Sequence, residues 1–423
     1  MSYSMKKVKV GVVGVGRGQT MIQYCETSSH AEVVAICDKW EEGLARCKKK
    51  HGDAVTYYTS YDEFLNHDMD VVVLANYANE HAPFAIKAMN HGKHVISEVL
   101  PVQTLKEAVE LVETVERTGL HYCYLENYCY MPAPREMKRL YQEGALGEFE
   151  YGEGEYIHNC ESIWPQITYG EENHWRNNMY ATFYCTHSAG PIIHITGLRP
   201  VKVTGFELPF NALCAREGHK GGSAGIMMVT LENGAIFKSI DMQLYKNSIW
   251  YSIYGSKGRM ESAREDAEQG DVARIYTNLD KIAGDYFTEG NSKLESYKPE
   301  ESASEAEQFG HGGSDYYSMW NAIESILGNE KADPIDVYEA LDMFLPGMFA
   351  YFSVLEGGIP MEVPNFRDPA VREKYRNDTR CTDPKVAGDQ LIPSYSKGNP
   401  EIPQSTYDEI RTRWEKHLET SED

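Results

Sequence analysis

The passage VKVGVVGVGRGQT, residues 8–20, constrains the fold more than any other part of the chain. An apolar, β-rich run breaks into Gly11, Gly14, Gly16 and Gly18 and then resumes with helix-forming residues. Glycine is needed where a chain turns sharply and lets its backbone amides approach a ligand. The N-terminus of the following helix adds a positive dipole end that suits an anion. Gly14 and Gly16 fit the spacing of a dinucleotide loop, whereas its third position falls on Gln19, with Gly18 one place early and Arg17 between. Asp38 closes the next β-rich run, and a carboxylate there accepts hydrogen bonds from adenosine ribose hydroxyls and repels a 2′-phosphate. The reading is an NAD-binding loop. Asp38 favours NAD over NADP, and Lys39 beside it is the one feature pointing the other way. The plainer alternative is a structural glycine turn with Asp38 capping a helix.

The first 126 residues alternate β-rich and helical runs: strands at 8–13, 33–37, 70–75, 93–97 and 121–125, with Ser60/Glu63 and Thr104/Glu107 as capping boxes between them. The helix after Thr104 carries Ala108, Leu111, Val112 and Val115 at helical spacing and stops at Gly119. Strands apolar on both faces and separated by helices predict a doubly wound parallel sheet, the Rossmann arrangement. After Asn127 the pattern changes. A helix near 132–143 leads into FEYGEGEYIH and then VKVTGFEL, GIMMVTL, GAIFKSIDMQL and SIWYSIYG, with a hairpin turn at Glu232-Asn233-Gly234. Successive strands without helices predict a large, mostly antiparallel open sheet in a second α/β domain. The expected division is 1–126 for the cofactor, 127–395 for the substrate and 396–423 as a charged tail.

At 423 residues the chain is too long for one ordinary core. Its formal charge of −23 argues against nucleic acid or an acidic membrane surface as partner, since both ask for clustered Lys and Arg. The nine cysteines include no CxxC pair, which reads as free thiols in a reducing compartment. The apolar N-terminal run reads as a strand rather than an export signal, and no stretch approaches the roughly 18–20 apolar residues of a membrane span. The location expected on these grounds is cytoplasmic.

Further motifs carry a resemblance. ANYANEH (75–81, with Asn76 and His81), GKHVISEVLP (92–101) and DVYEALDMFLPGMFAYFSVLEGGIPMEVPNF resemble segments of the Gfo/Idh/MocA oxidoreductases, in the same order, from about residue 7 to 380. The resemblance implies a Rossmann domain followed by an α/β domain whose open sheet faces the nicotinamide and often packs in oligomers; a homo-oligomer is therefore expected. It also implies that Glu98 and Asn127 line the nicotinamide ribose. Two positions depart from the family pattern. Glu98-Val99-Leu100 stands where dehydrogenases carry Glu-Lys-Pro, so lysine chemistry is excluded there, and Phe183 stands where an acid precedes the histidine matched by His187. Valine in place of that lysine, with LENYCY, EYIH, THSAGP and GHGGSDYY, resembles NAD-dependent α-N-acetylgalactosaminidases and, equally, oxidoreductases that convert the C3 hydroxyl of glucosides to a ketone.

Oxidising an alcohol requires a base for the hydroxyl proton and a site that presents the carbinol hydrogen to the cofactor. His187 is the favoured base, because an imidazole titrates near neutrality; the alternative is a hydrogen-bonded core histidine. Tyr156 and His158, two apart on an alternating strand, share a face with Gly152 and Gly154, whose missing side chains leave room for a ligand; the alternative is a packed strand. Trp175 and Arg176 offer a stacking surface and a fixed cation for a sugar. His311 and Asp315 are further substrate-binding candidates, the alternative being that Ser314 or Asp315 caps a helix. A divalent metal on Glu155, His158 and His187 has no recognised ligand spacing behind it, and no metal is expected. The function expected is NAD-dependent oxidation of a sugar or glycoside at C3. The alternatives are a glycosidase that oxidises C3 transiently and a non-catalytic NAD-bound redox sensor.

Overall fold

The computed structural model describes residues 7–264, 273–281, 291–300 and 303–420. The chain divides into two compact units: Met1–Pro132 with Glu300–Leu341 and Phe366–Asp378, and Ala133–Pro299 with Asp342–Asn365 and Thr379–Asp423.

The first unit is built on β1 (Val8–Val13), β2 (Ala31–Cys37), β3 (Thr56–Tyr58), β4 (Val71–Leu74), β5 (His94–Ser97) and β6 (Tyr122–Tyr124). All pair in parallel in the order β3-β2-β1-β4-β5-β6, which is the doubly wound Rossmann topology. β4 is buried at all of its positions, as expected of a strand covered on both faces. The helix Leu105–Thr118 begins at a reciprocal capping box between Thr104 and Glu107 and ends at Gly119 in the left-handed region. Ser60 caps the turn Tyr61–Phe64 by accepting from the Glu63 amide. β3, a three-residue strand, has no counterpart in the sequence reading. It is too short to show a hydrophobic period and is defined by its pairing to β2.

The second unit contains β7 (Phe149–Ile157), β8 (Pro200–Glu207), β9 (Ala224–Leu231), β10 (Ile236–Met242), β11 (Ser248–Gly255), β12 (Gly258–Ser262), β13 (Ile275–Asp280), β14 (Ser292–Tyr297) and β15 (Met361–Glu362). Their order is β14-β13-β12-β11-β7-β10-β9-β8-β15, antiparallel except for the parallel pair of β7 and β10. The helix Thr186–Thr196 covers the inner face at β7. It comes close because β7 carries glycine: a side chain at Gly154 would overlap the Ser188 carbonyl. The space left by Gly154 is therefore filled by this helix and not by a ligand; Gly152 is filled likewise by Phe149 and the Ser252 carbonyl. Phe206, Met228, Ile236 and Tyr254 are exposed at strand positions alternating with the core, and Leu294 is exposed on β14, a strand without a buried position. Residues Gln404–Thr420, expected as part of a charged tail, form a helix anchored by buried Tyr407 and Ile410. Tyr407 donates to the Gly218 carbonyl at 3.0 Å.

No described helix is long and apolar enough to cross a membrane. All nine cysteines are free, and only Cys160 is less than fully buried.

Candidate active site

In the first unit the loop after β1 turns at Gly14 (φ 98°), where a side chain would strike the Ala75 backbone. Gly18 lies where a side chain would come within 2.8 Å of Val12, so the helix Gly18–Thr27 sits directly on the strand. Gly16 is different: apart from its two sequence neighbours, no atom of the described residues lies within 4 Å of where its side chain would begin. The backbone is thus open at Gly16, beside a helix N-terminus without acidic residues in its first turn, as an approaching pyrophosphate would require. Asp38 accepts from the Val15 amide at 2.8 Å and from the Trp40 amide at 2.9 Å, which fixes its carboxylate at the end of β2. These features fit NAD. Lys39 is held over the Tyr77 ring at 4.2 Å and pairs with Glu80 at 3.6 Å.

The remaining candidates of this unit sort into supports and a latch. Gln19 donates to Cys47 and accepts from Lys50, away from the loop. Asn76 donates to Glu80 at 2.9 Å. His81 is fully buried, with Nδ1 2.9 Å from the Leu100 carbonyl and Nε2 3.3 Å from the Asn76 carbonyl, and burial lowers its pKa. Arg17 donates to Glu98 at 2.8 Å and, through two nitrogens, to Asp315 at 2.7 and 3.0 Å. Asn127 donates to Asp315 at 2.9 Å, and His311 Nδ1 lies 2.9 Å from its other oxygen. Burial opposes the Asp315 charge, but the bonds from His311 and Arg17 prevail and hold the carboxyl well below the usual range. His311 and Asp315, read from sequence as substrate ligands, thus meet the cofactor loop. Asp315 is in the first turn of helix Ser314–Ile326, whose N-cap is Gly313 with no side-chain cap, so neither Ser314 nor Asp315 serves as the cap.

The second unit brings the other candidates together. Tyr156, near the end of β7, has its hydroxyl 3.0 Å from His158 Nδ1, and its ring centroid is 4.6 Å from that of His187. His187 enters from the first turn of helix Thr186–Thr196, with its carbonyl accepting from Tyr251 at 2.5 Å. Tyr184, three residues earlier, lies edge-on to His187 at 5.0 Å and stacks with Trp175 at 6.2 Å. Arg176 covers both aromatic rings, at 4.4 Å from Trp175 and 5.1 Å from Tyr184. A cation held against aromatic rings beside paired imidazoles can grip a polyol and take a proton from it. Glu155 points to the opposite face, where it binds Ser248 and Arg264 at 2.6–2.7 Å. Among the described residues no three His, Cys, Asp or Glu side chains gather as a metal-binding group.

Two residues of this cluster went unread in the sequence. Tyr184 stands three residues ahead of His187, in the turn that leads into the helix Thr186–Thr196, and a lone tyrosine in an aromatic-rich stretch has no spacing that marks it out. Cys160, 3.4 Å from His158 Nδ1, carried no signal beyond its own presence.

Residues 8–125 match the Gfo/Idh/MocA oxidoreductase family, NAD-binding Rossmann fold, and residues 220–373 match the C-terminal domain of glycosyl hydrolase 109. The chain is 26% identical over 400 residues to a glycosyl hydrolase family 109 protein of Saccharopolyspora erythraea, covering 85% of this chain and 83% of that one. It is 28% identical over 394 residues to an α-N-acetylgalactosaminidase of Bacteroides fragilis, covering 85% and 92%. Among solved structures, an oxidoreductase from Agrobacterium radiobacter in complex with NAD+, L-tartaric acid and magnesium superposes with a TM-score of 0.68 at 16% identity, covering 85% and 99%. A scyllo-inositol dehydrogenase from Lactobacillus casei with bound NAD(H) and scyllo-inositol gives 0.66 at 18%, with the same coverage. At these identities the two structures speak for the fold alone.

Proposed function

We infer, for a chain that carries the Gfo/Idh/MocA NAD-binding domain and the glycosyl hydrolase 109 C-terminal domain, that it oxidises the C3 hydroxyl of a sugar or glycoside. The observation supporting this is the packing of Tyr156, His158 and His187 against the Trp175–Arg176–Tyr184 surface. Trp175 and Arg176 hold the sugar. His187 accepts the hydroxyl proton, and the Tyr156–His158 pair fixes the oxygen and passes the proton on. When bound, NAD supplies the acceptor for the hydride that leaves C3. The C–H electron pair and the O–H proton thus depart separately, and a ketone remains.

A second reading is favoured by the glycosyl hydrolase 109 domain and by the relative named α-N-acetylgalactosaminidase. In it the ketone acidifies the neighbouring C2–H, a base removes that proton, and the aglycone leaves from C1. Water then adds at C1, the proton returns to C2, and the hydride returns to C3. The sum is hydrolysis with no net use of NAD.

Incubating the protein with methyl and aryl glucosides and galactosides plus NAD separates the two. NADH growth with a product two hydrogens lighter supports the dehydrogenase, and free sugar without NADH moves the assignment to the glycosidase. Silence on every glycoside with NAD still bound sinks both. The partner proposed is a small sugar or glycoside, with a second copy of the chain on the open sheet face, for which exposed Phe206, Met228 and Leu294 speak. A monomer mass by light scattering would remove that last part.

A further inference from the structure

Adjoining the imidazole cluster, the second unit buries polar groups that the chain leaves without hydrogen bonds. Glu217, the last residue of helix Ala212–Glu217, is 2% exposed, and neither of its carboxyl oxygens has a partner. Gln243, just past β10, is 3% exposed, and neither end of its amide has one. Gln243 stands near enough to Glu217 to favour the carboxylate, though without hydrogen-bond geometry. Cys160 ties the pair to the site: it lies in the fields of Arg176 and Glu217, and its sulfur is 3.4 Å from His158.

A buried polar atom left without a partner has given up its hydrogen bonds to water for nothing in return. Several such atoms side by side, next to the groups that would handle a substrate, are explained by a ligand that brings its own donors and acceptors. We propose that Glu217 and Gln243 are specificity-determining residues that hydrogen-bond, as a pair, to two neighbouring hydroxyls of an uncharged glycoside, away from the hydroxyl that is oxidised. This rests on the sugar-oxidising reading above and names the substrate class of that same site.

The chemistry of the two side chains matches a diol. A protonated carboxyl and a carboxamide each donate and accept, as each hydroxyl does. Burial, with Glu161 adding to it, pushes the Glu217 carboxyl up to about 8, so it keeps its proton at neutral pH. A sugar bearing its own carboxylate would gain from Arg176 but would meet Asp241, which lies with Glu217 in the same field around Cys160. An uncharged sugar meets no such conflict.

The test uses the full chain loaded with NAD and a panel of methyl glycosides with their 2-, 4- and 6-deoxy analogues. In the native enzyme, deoxygenation at one or two adjacent positions should lower kcat/KM by about tenfold or more. In Glu217→Leu and Gln243→Leu the parent glycoside should fall to the level of its deoxy analogue through KM, with kcat within about threefold. Glu217→Gln, which still donates and accepts, should keep most of the discrimination; it also carries the test if the leucine variants do not fold. Folded variants that discriminate as the native enzyme does would overturn the proposal, as would Glu217→Gln failing as badly as Glu217→Leu. A native enzyme inactive on every glycoside would instead overturn the sugar-oxidising reading, so the two failures are told apart.

Discussion

The Ser188 carbonyl occupies the volume in which a side chain at Gly154 would begin. That close approach of helix to strand sets His187 4.6 Å from Tyr156, ring to ring. Gly154→Ala must move the helix outward. The expected cost is about 1–3 kcal/mol of stability, with turnover falling much further than NAD affinity. Thermal unfolding and steady-state rates on one sample check this, and an alanine variant with native kcat would refute it.

Gly16 offers the opposite case. With no described residue beyond its sequence neighbours near the missing side chain, Gly16→Ala should leave unfolding of the NAD-free protein within about 0.5 kcal/mol of native. A methyl group aimed at the pyrophosphate should nonetheless weaken NAD binding by about tenfold or more. Calorimetric titration with NAD decides it; unchanged affinity would mean that the dinucleotide does not cross this loop at Gly16.

Asp315 gathers Arg17, Asn127 and His311. Asp315→Ala leaves Arg17 with Glu98 and a long bond to Thr20, and takes from the Asn127 amide its Asp315 acceptor. A loss of about 2–3 kcal/mol is expected after allowing for partial exposure of the guanidinium. NAD should also bind more weakly, since the loop loses its anchor. Because Arg17 is already paired to Glu98 and Asp315, we expect the backbone amides rather than this cation to carry the pyrophosphate. Arg17→Met should therefore weaken NAD binding no more than Asp315→Ala does, and a much larger loss would show a direct phosphate contact.

Glu217 gives the stability a pH dependence. In the folded chain its proton leaves near pH 8, against an ordinary 4.5, because burial disfavours the charge. Below about 4.5 both folded and unfolded chains hold the proton and the contribution is level. Between 4.5 and 8 only the folded chain holds it, so stability falls as pH rises through that window. Glu217→Gln has no proton to lose, and its Tm should drop less than the native Tm between pH 5 and pH 8. Equal slopes would show that Glu217 is already ionised in the folded protein.

How far these features were legible follows from their range. The glycine loop, the Thr104–Glu107 box ending at Gly119 and the turn at Gly234 are local, and local chemistry announces them. Tyr156 and His158 share a face through the two-residue period of a strand. β12 to β14 went unread for a different reason. β14 is exposed or half-exposed along its length, so it shows no apolar alternation. His187 beside Tyr156 depends on helix packing at Gly154, and the latch on Arg17 depends on a residue 298 positions away. Neither relation has a local trace. The His311–Asp315 motif was recognisable as chemistry, but its partner was not.

That separation bears on how the protein is made. The cofactor loop emerges from the ribosome early, while Asp315 follows 298 residues later. At about 5–20 residues per second this is a delay of roughly 15–60 s. Through that interval a nascent chain displays its nucleotide-binding strands with Arg17 lacking its principal anchor. Maturation of the NAD site is therefore late relative to its synthesis, and the newborn N-terminal half is the stage at which a chaperone has most to protect.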